Sequence, residues 1–178
     1  MTGIHSAERD VKMLDVGLPA RMRRLRDLSL TAGPDPELDA VAHDLGEALD
    51  APYTMVNFRL EAHQHFAGLH TPGPSSYLPP VGRTMPLDHG YCPEVMSRRL
   101  ALILTDVYAS PRFASNAVVD LIGIRFYAGV PIITPDGIVL GALCAIGTEP
   151  RPLSEGRHVL GVVKEHRDTL MDVLNSRA

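Results

Sequence analysis

Apolar side chains recur along this chain with two different periods, and the switches between them mark out its elements. Leu38, Val41, Ala42, Leu45 and Leu49 share one face of a 3.6-residue repeat, which predicts an amphipathic helix behind Asp35 and Pro36, a pair suited to the N-cap and first helical position. Pro52 is expected to stop it. An earlier helix is predicted from Met13, Leu14, Leu18, Met22, Leu25 and Leu28, with Pro19 interrupting it and Arg21, Arg23, Arg24 and Arg26 forming a solvated face. Residues 1–12 carry no such period and read as a flexible tail. Tyr53–Leu60 and His63–His70 are short and β-prone, and predict a hairpin turning at Glu61 and Ala62. Thr71–Gly82 holds too many Pro and Gly residues for a regular element and is expected to be a loop, with a lid as one use for it.

The second half alternates short apolar strands with small helices. Ala101–Thr105 reads as a strand and Ser110–Leu121 as irregular, helical by turns. Arg125–Ile133 and Ile138–Ile146 are apolar on both faces, and Thr134-Pro135-Asp136-Gly137 between them supplies a turn. Such strands belong at the centre of a sheet, under helices on one side and core or pocket on the other. Pro131 cannot donate to a ladder, so a bulge or unpaired position is expected there. Ser154 is the expected N-cap of a last helix, in which Val159, Val163, His166, Leu170 and Val173 draw a seam that serves sheet packing or a dimer interface. The element order predicts an α+β fold: an antiparallel central sheet of five to six strands flanked by helices, the N- and C-terminal helices packed together, in one domain over 13–176.

Composition narrows the function. The 178 residues are 45% hydrophobic and 21% charged with a formal net charge of −4, so general attraction to nucleic acid or anionic lipid is not expected. Aromatic residues make up 5% and Trp is absent, which also argues against base-stacking surfaces. No apolar run approaches the ~20 residues of a membrane span, and the first ten residues do not form a signal-peptide core. With two cysteines, a disulfide framework is excluded and a reducing, cytoplasmic setting is expected.

Cys92 precedes Pro93, which suits a first helical position, so the sulfur falls beside a helix N-terminus, where a thiolate is favoured; a buried packing role is the alternative. Cys144 lies in an apolar strand and is expected to pack in the core. His63 and His65 fall on one strand face and His70, five residues on, on the other, which favours an exposed polar pair over a metal site. No Ser/His/Asp spacing, paired carboxylate motif or phosphate loop is present.

Leu104-Thr105-Asp106, Ser110 to Asn116 and Ile124 to Pro131 closely resemble the GAF domain family, as do Pro135-Asp136-Gly137 with Leu140 to Ile146, and Pro150 to Leu153. The resemblance covers roughly Asp35 to His166. It implies a GAF/PAS-like sensory domain whose sheet and short helices enclose a small-molecule pocket, with a homodimer and a protein signalling partner, such as in two-component regulation. It also implies ligand-binding residues: Tyr91, Cys92, Asp106, Arg112, Phe126 and Tyr127. A non-catalytic ligand sensor is the leading expectation, and no cofactor or metal is specified. The alternatives are a cysteine-dependent reductase of free methionine sulfoxide and a haem or tetrapyrrole sensor.

Overall fold

The computed structural model describes residues 15–178; the tail expected over 1–12, and Met13 and Leu14 of the first predicted helix, lie outside them. Strands β1 (Tyr53–Arg59), β2 (Gln64–His70), β3 (Thr84–Met85), β4 (Leu102–Leu104), β5 (Phe126–Ile133) and β6 (Val139–Gly147) form one antiparallel sheet in the order β3-β2-β1-β6-β5-β4. The helices are α1 (Leu18–Asp27), α2 (Pro36–Leu49), α3 (Cys92–Arg98), α4 (Pro111–Ala114), α5 (Ala117–Ile122) and α6 (Gly156–Ser176), with 3-10 turns at Val107–Ala109 and Leu153–Glu155. This is the α+β arrangement that the element order predicts.

Alternation along β1, β5 and β6 sends two sets of side chains in opposite directions. Val56, Phe58, Phe126, Ala128, Val130, Leu143 and Ala145 face a large apolar layer with α2 and α6. Tyr53, Met55, Tyr127, Cys144 and Ile146 face the other way, toward α3 and α5. Burial of a whole aliphatic or aromatic side chain stabilises by about 1.5–3 kcal/mol, so both faces of these strands contribute to the core.

Asp35 caps α2 by accepting from the backbone N–H groups of Glu37 (3.1 Å) and Leu38 (3.2 Å). The same carboxylate takes two bonds from Arg177, at 2.6 and 2.9 Å, so the end of α6 is clamped to the start of α2. Between those ends Val159, Val163, Leu170 and Leu174 are buried against α2 and β5. The seam of the last helix therefore packs within its own domain. At Gly68 a Cβ would lie 2.4 Å from the Leu38 carbonyl oxygen, and the absence of a side chain lets α2 rest directly on β2.

Several sequence expectations are corrected by local physics. Pro19 opens α1 rather than interrupting a helix, because its missing N–H falls where no intrahelical partner exists. The basic face of α1 is not wholly solvated: Arg21 is buried, donating to the Val139 carbonyl (2.6 Å) and pairing with Asp15 (2.6 Å), while Arg24 pairs with Asp136 (2.7 Å). Asp50, in the left-handed region at φ 47°, ends α2 before Pro52 is reached. Pairing runs unshifted through Pro131, opposite Ala142; β4 covers β5 only from Tyr127 to Gly129, and the register shift falls at Ile132 and Ile133. Ser154 sits inside a 3-10 turn, and α6 starts at Gly156 without a side-chain cap.

The histidines of β2 also move. His65 is buried and bonds the Gly33 carbonyl at 3.0 Å, and a bulge between the Val56–Gly68 and Asn57–Phe66 pairs reverses the alternation beyond it. His70 thereby reaches the α2 side, where its ring meets His43 edge-on at 5.1 Å. Among the described residues, no three His, Cys, Asp or Glu side chains gather as metal ligands would.

Candidate functional site

The sheet face opposite α2 and α6 encloses a cavity of about 210 Å³ with α3, α5 and the segment that crosses from β3 to α3. Met55 and Asn57 of β1, Gln64 and Phe66 of β2, Tyr127 of β5 and Cys144 and Ile146 of β6 form its floor. Val118 and Ile122 of α5 and Tyr91 and Cys92 at the head of α3 form the far wall, and Val81, Gly82, Thr84, Met85, Pro86, His89 and Gly90 close the side. Val81 and Gly82 belong to the loop that the Pro and Gly pattern predicts, and this end of the loop is part of the wall.

A chain of hydrogen bonds fixes the polar floor. The Gln64 side-chain amide donates to the carbonyls of Pro86 (2.7 Å) and His89 (2.8 Å), which directs its own oxygen to Asn57 Nδ2 at 2.7 Å. Among the described residues, Asn57 Oδ1 is then left buried without a hydrogen-bond partner. Such a group is costly in an apolar setting unless something satisfies it. The crossing segment is fastened a second time, by Gly90, whose N–H and carbonyl both bond the Asn116 side chain at 3.0 and 2.9 Å. Gly90 holds φ 77°, a conformation that favours glycine.

Two thiols and two phenols meet beside this floor. The Cys92 sulfur lies 3.2 Å from the Tyr127 hydroxyl, and the Tyr127 ring packs edge-on against Tyr91, centroids 5.1 Å apart. Tyr127 lies over Gly129, where a Cβ would come within 2.2 Å of the phenol oxygen. The neighbouring Cys144 thiol holds the Cys92 thiol below its ordinary range, against burial, and the nearby Tyr127 hydroxyl and Asn57 amide add to the effect. The Cys144 thiol is pushed well up by the Cys92 thiol beside it and by burial, and it donates to the Met55 thioether at 3.8 Å. Burial pushes the Tyr91 phenol up to about 12. Tyr91 donates to the Phe113 carbonyl at 2.6 Å.

Of the six residues that the resemblance singles out, Tyr91, Cys92 and Tyr127 are at the cavity. The other three lie elsewhere for definite reasons. Asp106 caps the 3-10 turn after β4 through the Tyr108 N–H (3.0 Å) and pairs with Arg125 (3.1 Å). Arg112 is exposed, pairs with Glu94 and sits 5.0 Å over the Phe113 ring. Phe126, one residue from Tyr127, points to the helical layer, where Arg151 lies 4.4 Å over its ring. Sequence reading passed over Asn57 and Gln64, although a polar amide inside an otherwise apolar strand is the available signal for them.

A family model described as the GAF domain matches residues 34–165, most of the chain. The chain belongs to the GAF domain family. Among curated proteins, a cyclic di-GMP phosphodiesterase of Pseudomonas aeruginosa is 39% identical over 77 residues, covering 41% of this chain and 13% of that protein. The chain thus spans a small part of that relative's length. Among solved structures, the nlh2 GAF domain of A. aeolicus in an inactive state superposes with a TM-score of 0.60 at 13% identity, covering 91% of this chain and 97% of that one. The free methionine-R-sulfoxide reductase of Neisseria meningitidis, in complex with its substrate, gives a TM-score of 0.55 at 16% identity over 100% of both chains. These likenesses extend the fold to this GAF domain. No helix among its described residues is long and apolar enough to cross a membrane.

Proposed function

We propose that this GAF domain is a non-catalytic cytoplasmic sensor that binds a small molecule in the cavity between the sheet and α3 to α5, and signals through a protein partner or a second copy of itself. The supporting observation is the cavity itself, enclosed by a prebuilt floor and by a segment fastened at Gln64 and Asn116. A polar floor fixed on the sheet before binding limits the ordering entropy lost at that face when the cavity is filled. Tyr91, Cys92 and Tyr127 are the proposed contacts, joined by Asn57 and Phe66 from the floor. Native mass spectrometry of the purified protein, followed by thermal melts with a broad small-molecule panel, tests the reading. A ligand that binds the folded state alone raises the midpoint, and the rise should vanish in a cavity-filling Val118→Phe variant. If no compound moves the midpoint, the sensor reading is abandoned.

The pair of cavity thiols favours a second reading, a thiol-dependent reductase. Its expected substrate, a free amino acid, is a zwitterion; among the described residues His89 lines the cavity, a residue type that can donate to the carboxylate, but no Asp or Glu lines it to pair with the ammonium group. The volume is also below the roughly 300–1,000 Å³ of drug-sized and cofactor sites, which gives no support to haem or a bilin and limits the proposed ligand to a molecule smaller than these.

A further inference from the structure

A second concavity, a groove of about 420 Å³, lies between the start of α1, the end of β1, the end of α3 and the β5–β6 turn, and shares no lining residue with the cavity. Among the described residues its charged lining is Arg21, Arg59, Arg99 and Asp15. Three guanidiniums stand against one carboxylate, a local excess of positive charge on a chain whose formal net charge is −4. Asp15 already does there what an external anion would do. Its oxygens take Arg21 Nη1 and Nη2 at 2.6 and 3.2 Å, and Arg59 Nε lies 3.2 Å from the oxygen that Nη1 holds. The donors are set in place by the fold: Arg21 is buried with its Nε on the Val139 carbonyl at 2.6 Å, and Arg99 Nη1 donates to the Gly137 carbonyl at 3.1 Å. Guanidiniums held in this way match the oxygens of a carboxylate or phosphate through paired donors. Asp15 balances one of the three charges, and the groove is larger than one carboxylate needs, with Met96 and Ile138 adding hydrocarbon and Ser97 a hydroxyl to its wall.

We propose that this groove is a second binding site, for a small organic dianion of the phosphate monoester class held by Arg59 and Arg99, with its organic part against Met96 and Ile138. Asp15 keeps Arg21 and gives up Arg59 to the ligand, so that one carboxylate and one dianion together balance the three guanidiniums. A monoanion of the same shape leaves one of them uncompensated, and the site therefore discriminates by charge. Asp15 is also a built-in competitor: it occupies Arg59 when the groove is empty, and its own charge opposes the ligand when the groove is full. Selectivity and affinity are thus set by residues from three separate elements, α1 with its leading segment, β1 and α3.

The test uses the full chain at low salt, where charge pairing is least screened, and three probes followed by calorimetry: phenyl phosphate, phenyl sulfate and inorganic phosphate. Phenyl phosphate is expected to bind about tenfold more tightly than the monoanionic phenyl sulfate, and more tightly than inorganic phosphate through its ring. Asp15→Asn, which leaves an oxygen for Arg21, should tighten phenyl phosphate about threefold to tenfold. Arg59→Gln and Arg99→Gln should each weaken it about tenfold, whereas Arg157→Gln on α6, the same charge change outside the groove, should leave it within about twofold. Having two arginine variants keeps the test standing if a thermal melt shows that one of them does not fold. Binding that survives both arginine changes, equal affinities for phenyl phosphate and phenyl sulfate, or no binding to either wild type or Asp15→Asn would overturn the proposal. So would loss of phenyl phosphate binding in Val118→Phe, which fills the cavity from α5, because the anion would then sit in the cavity. None of these outcomes bears against the sensor reading, and a failed ligand panel for the cavity leaves the groove unaffected.

Discussion

At the scale of single residues, Cys92 and Cys144 show how neighbours divide a common chemistry. Both sulfurs are buried beside the cavity, Cys92 in its far wall and Cys144 in its floor, yet the Cys144 thiol, the Tyr127 hydroxyl and Asn57 beside Cys92 favour its thiolate, whereas Cys144 is held protonated. Iodoacetamide should therefore modify Cys92 about fivefold to tenfold faster than Cys144 in the folded protein, read by peptide mass spectrometry, since the thiolate is the reactive form. Tyr127→Phe removes one donor and should slow the Cys92 reaction; equal rates for the two cysteines in the folded state would refute the assignment. Gly129 offers a second test. An added methyl meets the Tyr127 ring and hydroxyl at 2.2 to 2.9 Å, so Gly129→Ala should destabilise by about 1–3 kcal/mol in urea unfolding. The loss should shrink when Tyr127 is already Leu, because the two positions share one clash.

At the scale of elements, the clamp between α2 and α6 carries a pH signature. Arg177 beside Asp35, helped by the backbone N–H groups of the cap and opposed by burial, holds this carboxyl below its ordinary value of 3.8. A group whose folded pKa is depressed stabilises fully above its unfolded pKa and loses that contribution as pH falls through the folded one. Asp35→Ala should thus cost about 1–2 kcal/mol at pH 7, as cap removal does, and the gap between wild type and Arg177→Ala should close as the pH is lowered below 3.8. Thermal melts between pH 7 and 2.5 measure both; a gap that widened in acid would contradict the clamp. This cap was legible in the sequence because Asp35-Pro36 acts over three residues, and the central hairpin was legible because β5 and β6 are apolar on both faces. The Arg177 clamp was not legible, since it joins residues 142 apart. The bulge in β2 was equally hidden: an alternation count cannot show a slipped register, and it placed His70 on the wrong side. At the cavity, Tyr91, Cys92 and Tyr127 came from a family likeness, while Asn57 acquires its meaning only from the bond chain running through Gln64 to two backbone carbonyls.

At the scale of the whole molecule, the sheet divides a rigid layer from a loosely built one, and its strands are the one structure common to both. On the helical side, α2 and α6 run 14 and 21 residues against a continuous apolar core. On the cavity side, α3, α4 and α5 have 7, 4 and 6 residues, too short to hold without tertiary contacts. Amide hydrogen exchange should therefore be slow in α2, α6, β1, β5 and β6, and faster by orders of magnitude from Thr71 to Gly90 and across α3 to α5. Filling the cavity should protect the second group most. On the proposed sensor reading, one route for a signal crosses β5, where Tyr127 faces the cavity and Phe126 faces the helices. Arg151 covers the Phe126 ring, its guanidinium bonds the carbonyls of Leu49 and Asp50 at the end of α2, and its N–H bonds the Thr105 carbonyl at 2.8 Å. If this contact couples the layers, Arg151→Ala should leave ligand affinity within about twofold while abolishing any ligand-induced change of exchange in α2 and α6, because it touches the helical layer and no part of the cavity wall. Persistence of that change in the variant would mean that the layers communicate by another path, with the sheet as a whole as the next place to look.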